Sequence, residues 1–419
     1  MLKNARSTRR SWLSGATLSL MAAGFAVGAA RAAEPSLDAR LEQLLSARES
    51  ATYSRVAAIK IPGQPLSVFD ISFVDPVLPF YYLADRSNAA LDIIDTRSNA
   101  VVGQVGGFVG VRTDPATGTT STAISGPDGV AVVGLGEVWV GDGDSSVKVV
   151  DVVSQKVVAT ISTALDGQTA DQDKRADEMF YDPRDHILVV ANNAATPPYV
   201  TMISTDPNDR RVLGHIVYSD AAGVEASVYD PANGLFYINL TQVGDDPNSG
   251  AVSVVDPRQI AEVTRFPVTG CNGAGLALAP GQKLLVGCSL TNNSQIISAR
   301  DGSLLAEFPQ VSGSDEVWYN PGEGRFYLAA RSNPATAGGP SLGVIDALTD
   351  QFVTNVPTDA SAHSVAADRR TNNVFVPLGP IPNDPECSAG CVAVYKAQPQ
   401  GGSVASGIER FVSELSGSK

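Results

Sequence analysis

Apolar residues along this chain fall in short runs of four to six, rich in β-branched and aromatic side chains and broken by Gly, Asn, Asp and Pro. Such runs predict strands and turns. The runs also repeat: an apolar strand, a turn often marked by Asp-Pro, a second aromatic or aliphatic strand, and a third strand ending in Ile-Asp or Val-Asp. Three copies are plain. Phe69-Asp70-Ile71-Ser72-Phe73-Val74-Asp75-Pro76 is followed by runs at 80–84 and 91–95. Asp177-Glu178-Met179-Phe180-Tyr181-Asp182-Pro183 is followed by one at 187–191, and Asp315-Glu316-Val317-Trp318-Tyr319-Asn320-Pro321 by runs at 325–329 and 342–346. Further units begin near Asp128, Glu225, Ala274 and His363, which gives seven starts spaced 41 to 58 residues apart. A near-continuous apolar run is expected of a short strand buried between stacked sheets. Four-stranded sheets arranged around an axis account for both the repeat and the burial, so the expected fold is all-β, a seven-bladed β-propeller. The seventh unit shows only three strands between residues 364 and 396. The run at 55–61, ahead of the first unit, has the sequence of the missing outer strand. Pairing it there closes the ring and removes the open edges.

The amino terminus changes the picture. Lys3, Arg6, Arg9 and Arg10 precede an uncharged, mostly apolar stretch at 11–30, and Ala30-Arg31-Ala32 offers a small-x-small cleavage site, the pattern of a signal peptide. Thr8-Arg9-Arg10-Ser11-Trp12-Leu13 resembles a bacterial twin-arginine export signal, which implies a periplasmic protein. The expected organisation is a signal peptide at 1–32, a lead-in at 33–54, the propeller at 55–396 and a tail at 397–419, with a small amphipathic helix at 406–415. Residues 1–32 carry five positive charges and no negative one, so their removal takes the formal net charge from −14 to −19. That surface repels nucleic acid and anionic membranes as partners. No later run of eighteen apolar residues predicts a membrane span. Four cysteines in an oxidising compartment point to two disulfides. Cys271 and Cys288 bracket two predicted strands, and Cys387 and Cys391 flank a three-residue loop.

The repeats resemble those of the YVTN family of bacterial β-propellers, whose units carry an Ile-Asp, a following Val-x-x-x-Ile and a Pro-x-x-Val-Ala-Val/Asp-Pro stretch. The segment Val149-Val150-Asp151-Val152-Val153-Ser154-Gln155-Lys156-Val157-Val158-Ala159-Thr160-Ile161 fits well. The literal Tyr-Val-Thr-Asn is absent, and Tyr82-Leu83-Ala84-Asp85 and Val189-Val190-Ala191-Asn192 stand in its place. The likeness covers about 55–396 and specifies a fold, on which many functions are built.

Aligned on the Asp-Pro turns, the units place Asp70, Asp128, Asp177, Glu225, Ala274, Asp315 and His363 in one column, ionisable in six of seven units. The start of the innermost strand of a propeller blade lies at the channel mouth, so the column predicts a ring, with Asn272 able to fill the place left by Ala274. Carboxylates brought together raise one another's pKa. A divalent cation held by Glu225, Asp315, Asp177, Asn272, Asp70 and Asp128 would resolve the repulsion, with calcium, magnesium, manganese or iron as candidates. Ends of the second strands supply another layer: Arg86, Asp142, Asn192, Asn239, Ser289 and Arg331. Arg86 and Arg331 could hold a substrate carboxylate or enolate, or pair with Glu178, Glu316 or a ring acid. Of three histidines, His186 is expected in a surface turn and His215 in an outer strand. His363 alone falls in the column, as ligand or general base. The acidic triplets Asp142-Gly143-Asp144 and Asp171-Gln172-Asp173 read as solvated turns. Three histidines cannot build a four-histidine iron site, and no haem-attachment motif is present.

The fold and channel resemble virginiamycin B lyase and, more loosely, the gluconolactonase group. That likeness implies a metal-assisted lyase or hydrolase acting on a small oxygenated substrate, with a metal stabilising developing charge and His363 moving a proton. Glu178 or Glu316 is an equally admissible base. The competing expectation is a non-catalytic periplasmic propeller that binds a ligand or a partner protein, including an accessory subunit of a redox enzyme.

Overall fold

Seven four-stranded antiparallel sheets make up the computed structural model, which describes residues 48–165, 174–333, 339–359 and 361–398 and a few positions just before 48. The predicted signal peptide, the Asp171-Gln172-Asp173 triplet and the tail from residue 399 lie outside the described residues. Each sheet is one blade. The innermost strands, taken in blade order, are Ser72–Val74, Val130–Val133, Met179–Asp182, Val224–Asp230, Gly273–Ala279, Ser314–Asn320 and Ala366–Ala367. Each contacts the innermost strand of the next blade, and the last contacts the first, so the ring is closed around an axis. Among the described residues no helix is long and apolar enough to cross a membrane.

The seventh blade closes as its sequence implies. Tyr53–Ile59 pairs antiparallel with Cys391–Ala397, from Tyr53 opposite Ala397 to Ile59 opposite Val392. The strand starts and ends two residues earlier than the apolar run suggests. Arg48, just ahead of it, anchors the lead-in to blade 6 by donating from Nε to Asp346 at 2.9 Å and from Nη2 to the Glu323 carbonyl at 2.9 Å.

The core is divided as the repeat demands. Seven apolar clusters occur among the described residues, one at each blade-to-blade interface, with Val132, Val138 and Leu91 among those between blades 1 and 2 and Phe326, Leu328 and Leu285 among those between blades 5 and 6. Middle strands are therefore buried on both faces, and Ile187–Asn192 is apolar nearly throughout for that reason. Outer strands have one face toward solvent and alternate, as in Ala100–Gly106 and Lys156–Ser162. Burial of one Val or Leu contributes about 1.5–3 kcal/mol, and each interface gathers many of them.

The repeated Asp-Pro and Ile-Asp signals have a local cause. Asp75 Oδ1 accepts from the amides of Val77 and Leu78, each at 2.7 Å, and Asp182 from those of Arg184 and Asp185. At the same end of the blades, Asp95 and Asp346 accept from the amides of the turns between third and fourth strands in the same way. A short carboxylate that satisfies the turn's own donors fixes each hairpin. Both predicted disulfides are formed, Cys271–Cys288 and Cys387–Cys391, with Cα separations of 5.1 and 5.0 Å.

Candidate axial site

The aligned column corresponds to one backbone position. In blades 1, 2 and 3 the amides of Asp70, Asp128 and Asp177 donate to the carbonyls of Ala84, Gly141 and Ala191 at 2.9, 2.9 and 2.7 Å. Blades 4, 5 and 6 each interrupt the strand register at the equivalent point, between Val224 and Ser227, Gly273 and Leu276, and Ser314 and Val317. An extra residue on one strand re-aims side chains there. Close packing of the inner strands adds a constraint: a Cβ on Gly129 or Gly275 would overlap the carbonyl oxygen of Asp177 or Asp315 in the next blade.

Asp70, Asp128 and Asp177 are buried and bring carboxylate oxygens within 4.8 Å of one another. Two guanidiniums lie among them. Arg86, 3% exposed, donates through Nε to Asp128 Oδ1 at 3.0 Å and through Nη2 to both Asp70 and Asp128. Arg175 pairs with Asp177 at 2.6 Å and approaches Asp70 at 3.4 Å and Asp128 at 3.8 Å, while its Nε donates to Asn193 at 3.1 Å. Asn193 in turn donates to Glu225 at 3.2 Å. Even so, Asp128 Oδ2 and Asp177 Oδ1 are buried without a hydrogen-bond partner.

His363 stacks flat on Phe69, with ring centroids 5.0 Å apart. Its Nδ1–H donates to the Ser361 carbonyl at 2.7 Å, and its Nε2 lies 3.2 Å from Asp70. Both nitrogens face acceptors. Burial alone would lower its pKa, but the bond and charge of Asp70 outweigh that and raise it. Burial likewise opposes ionisation of Asp70, yet Arg86, His363 and Arg175 hold its carboxyl well below the usual carboxylate range. At Asp128 burial outweighs the pull of Arg86 and Arg175, and the carboxyl is raised well above the usual carboxylate range.

The other acids have less help. Burial pushes Asp177 up to about 6 against the pull of Arg175. Burial, with Asp177 and Asp315 adding repulsion, pushes Glu225 up to about 8. Glu178 and Glu316, from blades 3 and 6, face each other across the channel closely enough to interact. Burial raises both, Glu316 to about 8, and Glu316 Oε1 is buried without a partner. Arg331 pairs with Asp315 at 2.8 Å and is 48% exposed at the lip.

Of the predicted residues, the structure thus gathers Asp70, Asp128, Asp177, Glu225, Asp315, His363, Glu178, Glu316, Arg86 and Arg331 at one end of the channel. Asn272 is engaged elsewhere: its Nδ2 donates to the Pro247 carbonyl at 3.0 Å, and its Oδ1 accepts from Ser289 at 3.2 Å. The remaining second-strand residues bond to nearby strands and connecting segments. Asn239 donates to the carbonyls of Ala274 and Gly275, Asn192 to Thr163, and Asp142 accepts from Lys148 and the Val109 amide. His186 lies in a surface turn beside Tyr181, and His215 in the outer strand Arg211–Val217 beside Thr201. Sequence reading missed Arg175 and Asn193. Arg175 stands in the connection between blades 2 and 3, outside the repeat, and its only signal is a base two residues before a ring acid.

No family model matches the chain, and no curated protein matches it.

Proposed function

We propose that this protein is an exported, periplasmic lyase or hydrolase that works on a small oxygenated substrate at the axial mouth with a bound divalent cation. The observation that carries the reading is the pair of orphaned oxygens, Asp128 Oδ2 and Asp177 Oδ1, inside a cluster of three aspartates that two guanidiniums do not fully neutralise. A buried carboxylate oxygen without a donor is costly, and a cation removes that cost. The available donors are carboxylates, which suits calcium, magnesium or manganese better than iron, because both nitrogens of His363 already face other acceptors.

The cation would supply Lewis-acid stabilisation of a developing oxyanion. Arg331, exposed at the lip, is placed to hold a substrate carboxylate. The Glu178–Glu316 pair can take a proton from the substrate on one carboxylate and return one from the other to the leaving oxygen, as carboxyls with raised pKa values do near neutral pH. His363 keeps Asp70 ionised and thereby holds Arg86 in place. The YVTN-like repeats and the likeness to virginiamycin B lyase support the same reading.

A second reading, a non-catalytic propeller that binds a ligand or partner protein, draws on the fact that Asp70 and Asp128 already have Arg86 as partner. Turnover separates the two. Lactones and carboxylates with a β-leaving group should be consumed in a chelator-sensitive way, with kcat lowered about a hundredfold or more in Glu178→Gln and Glu316→Gln at unchanged cation content. Turnover indifferent to chelator and to both substitutions, or binding without turnover, contradicts the enzymatic reading.

A further inference from the structure

Beyond the carboxyl pair the channel changes character. Three residues on from the ring acids of blades 1, 3 and 6 stand Phe73, Phe180 and Trp318, one layer about 10 Å deeper at the rise of an extended strand. Phe73 meets Phe180 edge-on at 6.4 Å and Trp318 edge-on at 5.0 Å. Around and beyond this trio lies a cavity of about 880 Å³, bounded at the axial site by Glu178 and Glu316 and at the opposite face by the Pro turns of the blades. Its outer rim includes Val77 and Leu135, large apolar side chains that stand 58% and 77% exposed. The one cation among the lining residues, Arg369, belongs to that rim.

We infer that this cavity binds an apolar or aromatic molecule bearing a single amine, which enters from the Pro-turn face and donates to the Glu178–Glu316 pair. A volume near 880 Å³ with apolar walls falls within the range of small-molecule sites, where a few polar groups fix orientation. The charged side chains at its inner end are both carboxyls, and one of their oxygens, Glu316 Oε1, is buried with nothing to accept from. Aromatic faces next to carboxylates favour a cation over an anion, since the ring quadrupole and the carboxylate attract the same charge. A ligand carboxylate would meet two carboxyls and no guanidinium there, because Arg86 and Arg175 are committed to Asp70, Asp128 and Asp177. The site opens on the opposite face from the axial mouth and does not depend on a bound cation.

Three probes with the same ring system and different head groups test this: pyrenebutylamine, pyrenebutanol and pyrenebutyrate. Each is titrated into the full mature protein in chelator, then with calcium added, following pyrene emission and Trp318 quenching. The amine should bind about tenfold or more tighter than the alcohol, the yield of a charge-assisted hydrogen bond, and the butyrate weakest. Glu316→Gln should shrink the amine preference, and Phe180→Leu should weaken all three probes while the unfolding transition is kept. Equal affinity for the three overturns the proposal. So does an amine preference that survives Glu316→Gln but disappears at high salt, since that is attraction to the acidic surface. Loss of cation binding at the axial mouth with the amine preference intact would count against the proposed enzyme alone.

Discussion

Arg86→Met removes one charge from the most enclosed part of the axial site and leaves a side chain of similar reach. In the native protein Arg86 is 3% exposed and donates to both Asp70 and Asp128. After substitution Arg175 remains near them, at 3.4 and 3.8 Å, and His363 Nε2 stays 3.2 Å from Asp70. Breaking a buried pair from one side strands the opposite charge and costs about 3–5 kcal/mol. The half-exposed partnership of Arg331 with Asp315 is the internal control, and Arg331→Met should cost about 0–1 kcal/mol. Equilibrium urea unfolding with chelator present measures both. The pH dependence carries the diagnostic sign. In the native protein the Asp70 carboxyl is depressed, so its contribution is present above the ordinary carboxylate range near pH 4 and is lost as pH falls through its lowered folded value. Without Arg86 the folded-state pKa of Asp70 rises above that of the unfolded chain, and that of Asp128, already raised by burial, rises further. Folding then takes up protons, and the deficit, largest above pH 7, narrows toward pH 5. A loss under about 1 kcal/mol, or one unchanged between pH 5 and 8, would refute the claim that Arg86 is the counter-ion of the two aspartates.

Two further outcomes follow from the geometry. Glu225 and Glu316 are both raised to about 8 in the folded chain, so in chelator the protein should lose stability as pH rises from about 4.3 toward 8 and level off above, and Glu225→Gln with Glu316→Gln should flatten that slope; a native slope left intact in the double variant would contradict the assignment. Gly129→Ala places a Cβ against the Asp177 carbonyl and should destabilise by about 1–3 kcal/mol in urea unfolding, whereas the same change at Gly106, where the nearest atom would lie 4.0 Å from the new Cβ, should cost less; equal costs would mean that the inner strands are not packed as described.

Much of this architecture is written in short-range signals. The Asp-Pro turns, the Val-Asp strand ends and the apolar runs repeat because each blade solves the same local problem, and the outer strand at Tyr53–Ile59 could be found because blade 7 lacked one. The ring column was legible for the same reason, since Asp70, Asp128 and Asp177 hold the same backbone position. What could not be read is what each long side chain does on arrival. Arg86 and Arg331 begin parallel Arg-Ser-Asn stretches, yet Arg86 turns inward between two acids and Arg331 stays at the lip with one. Arg175 lies in a connection that the repeat does not govern, and Asn272 is claimed by the Pro247 carbonyl and Ser289. Glu178 and Glu316 lie in equivalent columns, but only closure of the ring brings blades 3 and 6 face to face.

The central claim is that the axial acids hold a divalent cation beside their two guanidiniums. Elemental analysis of the protein, purified with neither chelator nor added metal, tests it most directly, beside Asp128→Asn with Asp177→Asn. The account predicts a stoichiometric divalent cation in the native protein, lost in a double variant that keeps its unfolding transition. A native protein that emerges metal-free and takes up neither calcium nor manganese on titration would contradict it.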